Sequence, residues 1–99
     1  MARPVLFLPH AEVELVDAQR WYDQQAFGLG DRFFLAVDLL IPRIGDMPKQ
    51  FPAVRGEIRR ALVRHFPYAL YFREETEAIY ILACTHTSRN PRHALPSAS

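Results

Sequence analysis

Six side chains that can carry positive charge stand where charge is normally kept out. Arg59, Arg60, Arg64, Arg73, His86 and Arg89 fall in or beside three runs rich in β-branched and aromatic residues between Glu57 and Arg89. Strand positions seldom hold unpaired charge, so this density predicts a sheet with one face left open for an anionic partner. Arg60 and Arg64 are four apart, and on one extended strand they share a face. Tyr71 and Arg73 alternate with Tyr68, Leu70 and Phe72, which places them opposite that apolar set. His86, at the end of the last run, is of the residue type that titrates near neutrality and can give or take a proton. A plainer reading stands beside each. Arg59, Arg60 and Arg64 can pair with Glu57, Glu74, Glu75 and Glu77 across neighbouring strands, and a histidine at a strand end is commonly a hydrogen-bonded structural group. The four histidines and one cysteine have no metal-ligand spacing, so neither metal nor cofactor is expected.

The elements that must position these groups are readable in order. Val5-Leu6-Phe7-Leu8, between Pro4 and Pro9, reads as a short strand covered on both faces. From His10 to about Ala26 the period becomes helical, with Ala11, Leu15, Ala18 and Tyr22 forming one stripe and Pro9 suited to the first turn. Gly28-Leu29-Gly30 ends that helix. A second helix is expected from Asp31, a suitable N-cap, to about Gly45. Its stripe is Phe33, Val37, Leu40, Ile41 and Ile44, and Pro42 should kink it. Asp46 to Gly56 reads as a connecting loop, ordered at Phe51 if that ring reaches the core. The three strand-like runs are parted by Phe66-Pro67 and by Glu74 to Glu77, the pattern of an antiparallel meander. Asn90 to Ser99, with Pro91 and Pro96, reads as a loosely ordered tail. The order is β-α-α-β-β-β. It predicts one α+β domain over residues 1–99, a helical hairpin packed on one face of a small antiparallel sheet.

Composition limits the function classes. Ninety-nine residues support one core, and 49% hydrophobic content excludes a disordered chain. The net charge of +1 is unevenly spread: residues 1–50 carry −2 and residues 51–99 carry +3, so the positive charge belongs to the sheet half. Cys84 is alone, which suits a reducing cytoplasm, and inside an apolar run it reads as a small buried hydrophobe. No leader is visible, and no apolar run approaches the roughly 20 residues that cross a bilayer. The expectation is a cytoplasmic protein with no membrane partner.

Several strings, taken in order, resemble one known family. They are Ala11…Glu14-Leu15…Ala18…Trp21-Tyr22, Gly28-Leu29-Gly30…Arg32-Phe33, Pro48, Arg59-Arg60, and Arg64…Phe66-Pro67-Tyr68…Tyr71-Phe72. Ile79-Tyr80-Ile81-Leu82-Ala83 and His86…Arg89 complete the set, which spans about Leu6 to Pro91. No single piece is specific, but the ordered set resembles the ParE/RelE superfamily, the toxins of type II toxin–antitoxin systems. The strand pair around Phe66-Pro67-Tyr68 is most similar to the ParE and plasmid-stabilisation branch. That resemblance implies a bacterial growth-inhibiting toxin, neutralised by an antitoxin encoded beside it. ParE-type members are associated with inhibition of DNA gyrase, and RelE-type members cleave messenger RNA on the ribosome.

For RNA cleavage the resemblance offers Arg60, Arg64 and His86 as the catalytic set. The chain departs from the ribonuclease pattern, however. Lys49 is the only lysine, Thr87 follows His86, and no tyrosine lies beyond Tyr80. The acid–base set is incomplete unless Glu57 or Tyr71 substitutes. A non-enzymatic gyrase inhibitor is therefore favoured over the ribonuclease, with an inactive relative kept as a corepressor as a third reading. On the favoured reading the target-binding residues are Arg60, Arg64, Tyr71, Arg73, His86, Arg89 and Arg92. The antitoxin-binding residues are Trp21, Leu29, Phe34, Arg60, Arg64 and Arg89. The plainer reading of Trp21 and Tyr22 is core or hairpin packing, although an aromatic beside a helical stripe can also anchor a partner.

Overall fold

The computed structural model describes residues 3–89 and Leu95. Strand β1 (Val5–Phe7) leads into helix α1 (Pro9–Gln25), a tight turn, and helix α2 (Leu29–Asp46). A single 3-10 turn (Pro48–Gln50) precedes β2 (Ala53–Arg55), β3 (Ile58–Leu62), β4 (Tyr68–Glu74) and β5 (Ile79–His86). The sheet order is β1-β5-β4-β3-β2. The expected α+β architecture is present, with two corrections to the sheet. It has five strands, because β2 forms within the stretch expected to be a loop, pairing Ala53 with Arg59 and Arg55 with Ile58. It is also not wholly antiparallel: β1 runs parallel to β5, with Val5 opposite Ile79 and Phe7 opposite Ile81. The hairpin carries the chain across the sheet and back, so the first strand meets the last in the same direction. As an edge strand beneath one helical layer, β1 leaves Leu6 exposed, contrary to the expectation of two covered faces.

Both helical stripes are buried as the period predicts: Ala11, Leu15, Ala18 and Tyr22 on α1, and Phe33, Val37, Leu40 and Ile44 on α2. They pack on Ala61, Val63, Leu70, Phe72, Ile79, Ile81 and Cys84. At the centre, the rings of Tyr22, Phe33, Phe66 and Tyr68 meet at centroid distances of 4.9–5.9 Å. Phe51 reaches the core and lies edge-on to Phe72. Pro42, expected to kink α2, lies within the helix four residues before its end and is exposed. Proline has no N–H, so the Asp38 carbonyl lacks its usual helical donor.

The hairpin turn differs from the sequence expectation. Asp31 is not the N-cap; α2 begins two residues earlier, behind Gly28 in the left-handed region at φ 80°. The capping carboxylate comes from the other helix, where Asp23 Oδ1 accepts the Gly30 N–H at 2.9 Å. The helices touch at this point. A Cβ on Gly30 would lie 2.5 Å from Asp23 Cγ and 2.5 Å from the Gln19 carbonyl oxygen.

The register of α2 can be tested at two neighbouring positions. Leu40 is buried and Asp38 is exposed. Leu40→Ala should cost about 2–5 kcal/mol, and Asp38→Ala should stay within about 0.5 kcal/mol, read from urea unfolding. Equal losses from the two would mean the face is misassigned.

Candidate functional site

Each charged side chain is placed by the parity of its strand and by where that strand stops. On the face away from the helices, Ile58 and Val54 pack with Ala69, Tyr71, Ala83 and Leu95 as a second, smaller core. Arg60 lies directly opposite Tyr71 across β3 and β4, so it belongs to this face. Its Nε is buried without an acceptor among the described residues. Tyr71 is on the predicted face, but it is only 1% exposed. This corrects the expectation of an open surface, because Leu95, itself buried, closes over it. Tyr71 is therefore withdrawn from partners in this conformation. Arg73 is engaged too, its Nε donating to Glu75 Oε2 at 2.7 Å.

Arg64 is not on a strand. Strand β3 ends at Leu62, and the chain turns through Arg64 and His65, the latter at φ 70°. A non-glycine residue in the left-handed region marks a forced turn. Arg64 consequently points to α2, where it lines a groove of about 440 Å³ with Leu29, Arg32, Leu35, Ala36 and Leu39. Arg60 and Arg64 do not share a face, which is a second correction. The groove continues past Leu62 to Arg43. Leu35, Leu39 and Leu62 are exposed along it, and Arg32, Arg43 and Arg64 form no ion pair among the described residues. Arg43 instead rests its guanidinium 5.5 Å from the Phe51 ring.

His86 sits on the helix-side face, edge-on to Tyr68 at 5.5 Å. It lines a recess between α1 and β5 with Glu14, Asp17, Trp21 and Arg89. Its Nδ1 accepts the Ser88 N–H at 3.1 Å, a local contact within the turn that follows β5. Burial holds the Tyr68 hydroxyl above its ordinary pKa, with Cys84 and Glu14 adding to the effect. The Tyr68 hydroxyl therefore stays protonated near neutrality. Burial pushes the Cys84 thiol up to about 12, as its reading as an inert hydrophobe requires.

Arg60, Arg64 and His86 thus occupy three separate surfaces: the outer face, the β3–β4 turn and the helix-side end of β5. The antitoxin-contact set divides in the same way. Leu29 and Arg64 line the α2 groove, Trp21 and Arg89 the α1–β5 recess, and Arg60 the outer face, while Phe34 is 45% exposed on α2. Arg92 lies outside the described residues, as does the expected tail apart from Leu95. Among the described residues no three His, Cys, Asp or Glu side chains gather to hold a metal, and no helix is long and apolar enough to cross a membrane.

Two features escape the sequence. Glu14 lies off the buried stripe of α1, yet its Oε1 accepts the Cys84 N–H at 2.9 Å, satisfying part of β5 beyond the residues that β1 pairs. Nothing local signals that. The groove does have a signal: Arg32, Leu35, Ala36, Leu39 and Arg43 recur at helical steps beside the buried stripe.

No family model matches the chain. It is similar to Toxin ParE2 of Mycobacterium tuberculosis, in strains CDC 1551 and H37Rv alike, at 35% identity over 81 residues. These residues are 81% of this chain and 77% of the relative. The chain belongs to the ParE toxin family. The fold agrees: a solved chain of the chromosomal ParDE toxin–antitoxin system from P. aeruginosa superposes with a TM-score of 0.73. That match covers 86% of this chain and 96% of the other at 14% identity. At that identity the likeness speaks for the fold only, and the ParE membership rests on the mycobacterial relative.

Proposed function

We propose that this ParE-family chain is the toxin of a type II toxin–antitoxin pair that arrests growth inside the cell by binding DNA gyrase, without chemistry of its own. One observation carries the choice against RNA cleavage. Arg60, Arg64 and His86 stand on three different surfaces, and no rotamer change brings groups on opposite faces of a sheet to one phosphate. In-line attack by a 2′-hydroxyl needs its base and its charge-stabilising cations within hydrogen-bond reach of the same atoms.

The antitoxin suits the α2 groove. Its apolar floor of Leu35, Leu39 and Leu62, rimmed by Arg32, Arg43 and Arg64, complements a segment with leucine-like anchors and acidic flanks. Such a segment orders as it binds.

Purified gyrase and sequencing of RNA ends test the target together. The chain should inhibit supercoiling and leave messages intact after induction, with His86→Ala lowering toxicity less than Arg64→Ala. Ribosome-dependent cuts that vanish in His86→Ala would reverse the choice, since losing a general base lowers a rate by about 10²–10⁴.

A further inference from the structure

Strand β3 is left uncovered along one side of its second half. Val63 N–H bonds the Tyr68 carbonyl at 2.9 Å. By antiparallel alternation Ala61 faces β4 as well, while Arg60 and Leu62 turn their N–H and C=O groups the other way. There the Arg60 N–H meets the Pro52 carbonyl at 3.0 Å. Pro52 has no N–H to return, and the register of β2 on β3 covers only Ile58 and Arg59. The Leu62 N–H and C=O therefore have no strand beside them among the described residues. An edge of this kind is a template for another chain. It opens onto the α2 groove, whose far end Leu62 borders.

Charge selects the chain that fits. No carboxylate lines the groove. Asp31, Asp38 and Asp46 lie on α2, and none of them pairs with Arg32, Arg43 or Arg64 among the described residues. Across the same edge, on the outer face, the buried Arg60 Nε has no acceptor among the described residues. A helix laid in the groove satisfies its own backbone, leaves Leu62 unpaired and cannot reach Arg60. An extended segment alternates its side chains between both faces of the sheet. Its residue opposite Leu62 shares a face with Arg60, at the diagonal separation that a long side chain spans. The residues on either side of that one fall on the groove side, against Leu39. A second copy would set arginine against arginine about the twofold axis. We propose that the antitoxin segment binds as a short strand added to β3 at Leu62, with an acid toward Arg60, apolar residues toward Leu39, and acids at the Arg43 and Arg64 rim. This rests on the reading above that the groove takes the antitoxin. It lets Arg60 and Arg64, on separate surfaces, serve one partner.

The test uses the full chain and its purified cognate antitoxin, the protein encoded beside it. Leu62→Pro deletes the edge N–H without removing a bond to β4, and an edge strand accepts proline at such a position. Leu62→Ala removes the same side chain and keeps the N–H. Antitoxin affinity should be about tenfold weaker in Leu62→Pro than in Leu62→Ala. Arg60→Gln and Arg64→Gln should each weaken it by about fivefold or more. In the parent complex, the Leu62 amide should exchange with solvent at least about tenfold more slowly than in the free toxin. That measurement needs no variant to fold. Equal affinities for Leu62→Pro and Leu62→Ala, or a Leu62 amide left unprotected in the complex, would overturn the proposal. So would a dimer of the parent that dissociates in Leu62→Pro. The two readings also separate. If Leu39→Glu abolishes antitoxin binding while Leu62→Pro matches Leu62→Ala, the groove stands and the strand falls. If Leu39→Glu binds as the parent does, the groove reading falls and takes the strand with it.

Discussion

Phe33→Ala should lose about 3–5 kcal/mol of stability in urea unfolding, and Phe34→Ala under about 1 kcal/mol. The two rings are neighbours in sequence and differ in every contact. Phe33 is wholly buried, with Tyr22, Phe66 and Tyr68 within 5.1–5.2 Å of its centroid. Its removal leaves a hole among three stiff rings that cannot collapse into it, and it breaks edge-to-face pairs worth about 0.5–1.5 kcal/mol each beyond burial. A domain of this size is stable by about 5–15 kcal/mol in all, so the variant sits near the threshold of folding. Phe34 has no such partners to lose. Matching losses at the two positions would place the aromatic cluster on the wrong face of α2.

Gly30→Ala should cost about 2–4 kcal/mol, more than its size suggests. The added methyl meets Asp23 Cγ and the Gln19 carbonyl oxygen at 2.5 Å. One of those atoms is backbone inside α1, so relief comes only by spreading the helices, at about 1–3 kcal/mol. Spreading also pulls Asp23 from the Gly30 N–H, removing a helix cap worth about 1 kcal/mol. Gly56→Ala separates the causes. Gly56 has φ 54°, and a methyl added there would meet nothing within 4 Å. It therefore bears backbone strain alone, about 1 kcal/mol. Equal melting shifts for the two variants would mean the Gly30 contact is not a close one.

The helices are legible because a 3.6-residue period survives whatever surrounds it. Of the nine positions read on the two stripes, eight are buried, and Ile41 is half-buried at the edge of the core. What escapes depends on distance along the chain. Strand β2 is three residues between Pro52 and Gly56, too short to show alternation. The parallel pairing of β1 is fixed by the path of the hairpin rather than by any residue in Val5–Phe7. Arg64 reads as a strand residue because Arg-His-Phe-Pro holds no glycine or asparagine to mark its turn; His65 takes the left-handed conformation instead. The start of α2 is hidden because its cap is Asp23, on the preceding helix. Alternation gives Tyr71 the right face, but the residue that covers it, Leu95, lies 24 positions later. At the functional surfaces, residue type is legible and grouping is not. The cations stand out one by one, and the set splits because strands end and turn where local sequence gives no warning.

The meeting of β1 with β5 also bears on how the toxin is made. Val5 and Ile79 are the first pair of that ladder, and closing a loop of that length costs entropy before any contact rewards it. The central platform for α1 is β5 itself, supplying Ile79, Ile81 and Cys84 to the core. A nascent chain therefore carries a helical hairpin whose seat lacks Ile79, Ile81 and Cys84 until its last strand has left the ribosome. The core is thus completed only at the end of synthesis, and a chain cut short before Ile79 should be degraded rather than accumulate as a partial toxin, which a pulse-chase of the truncated chain would read.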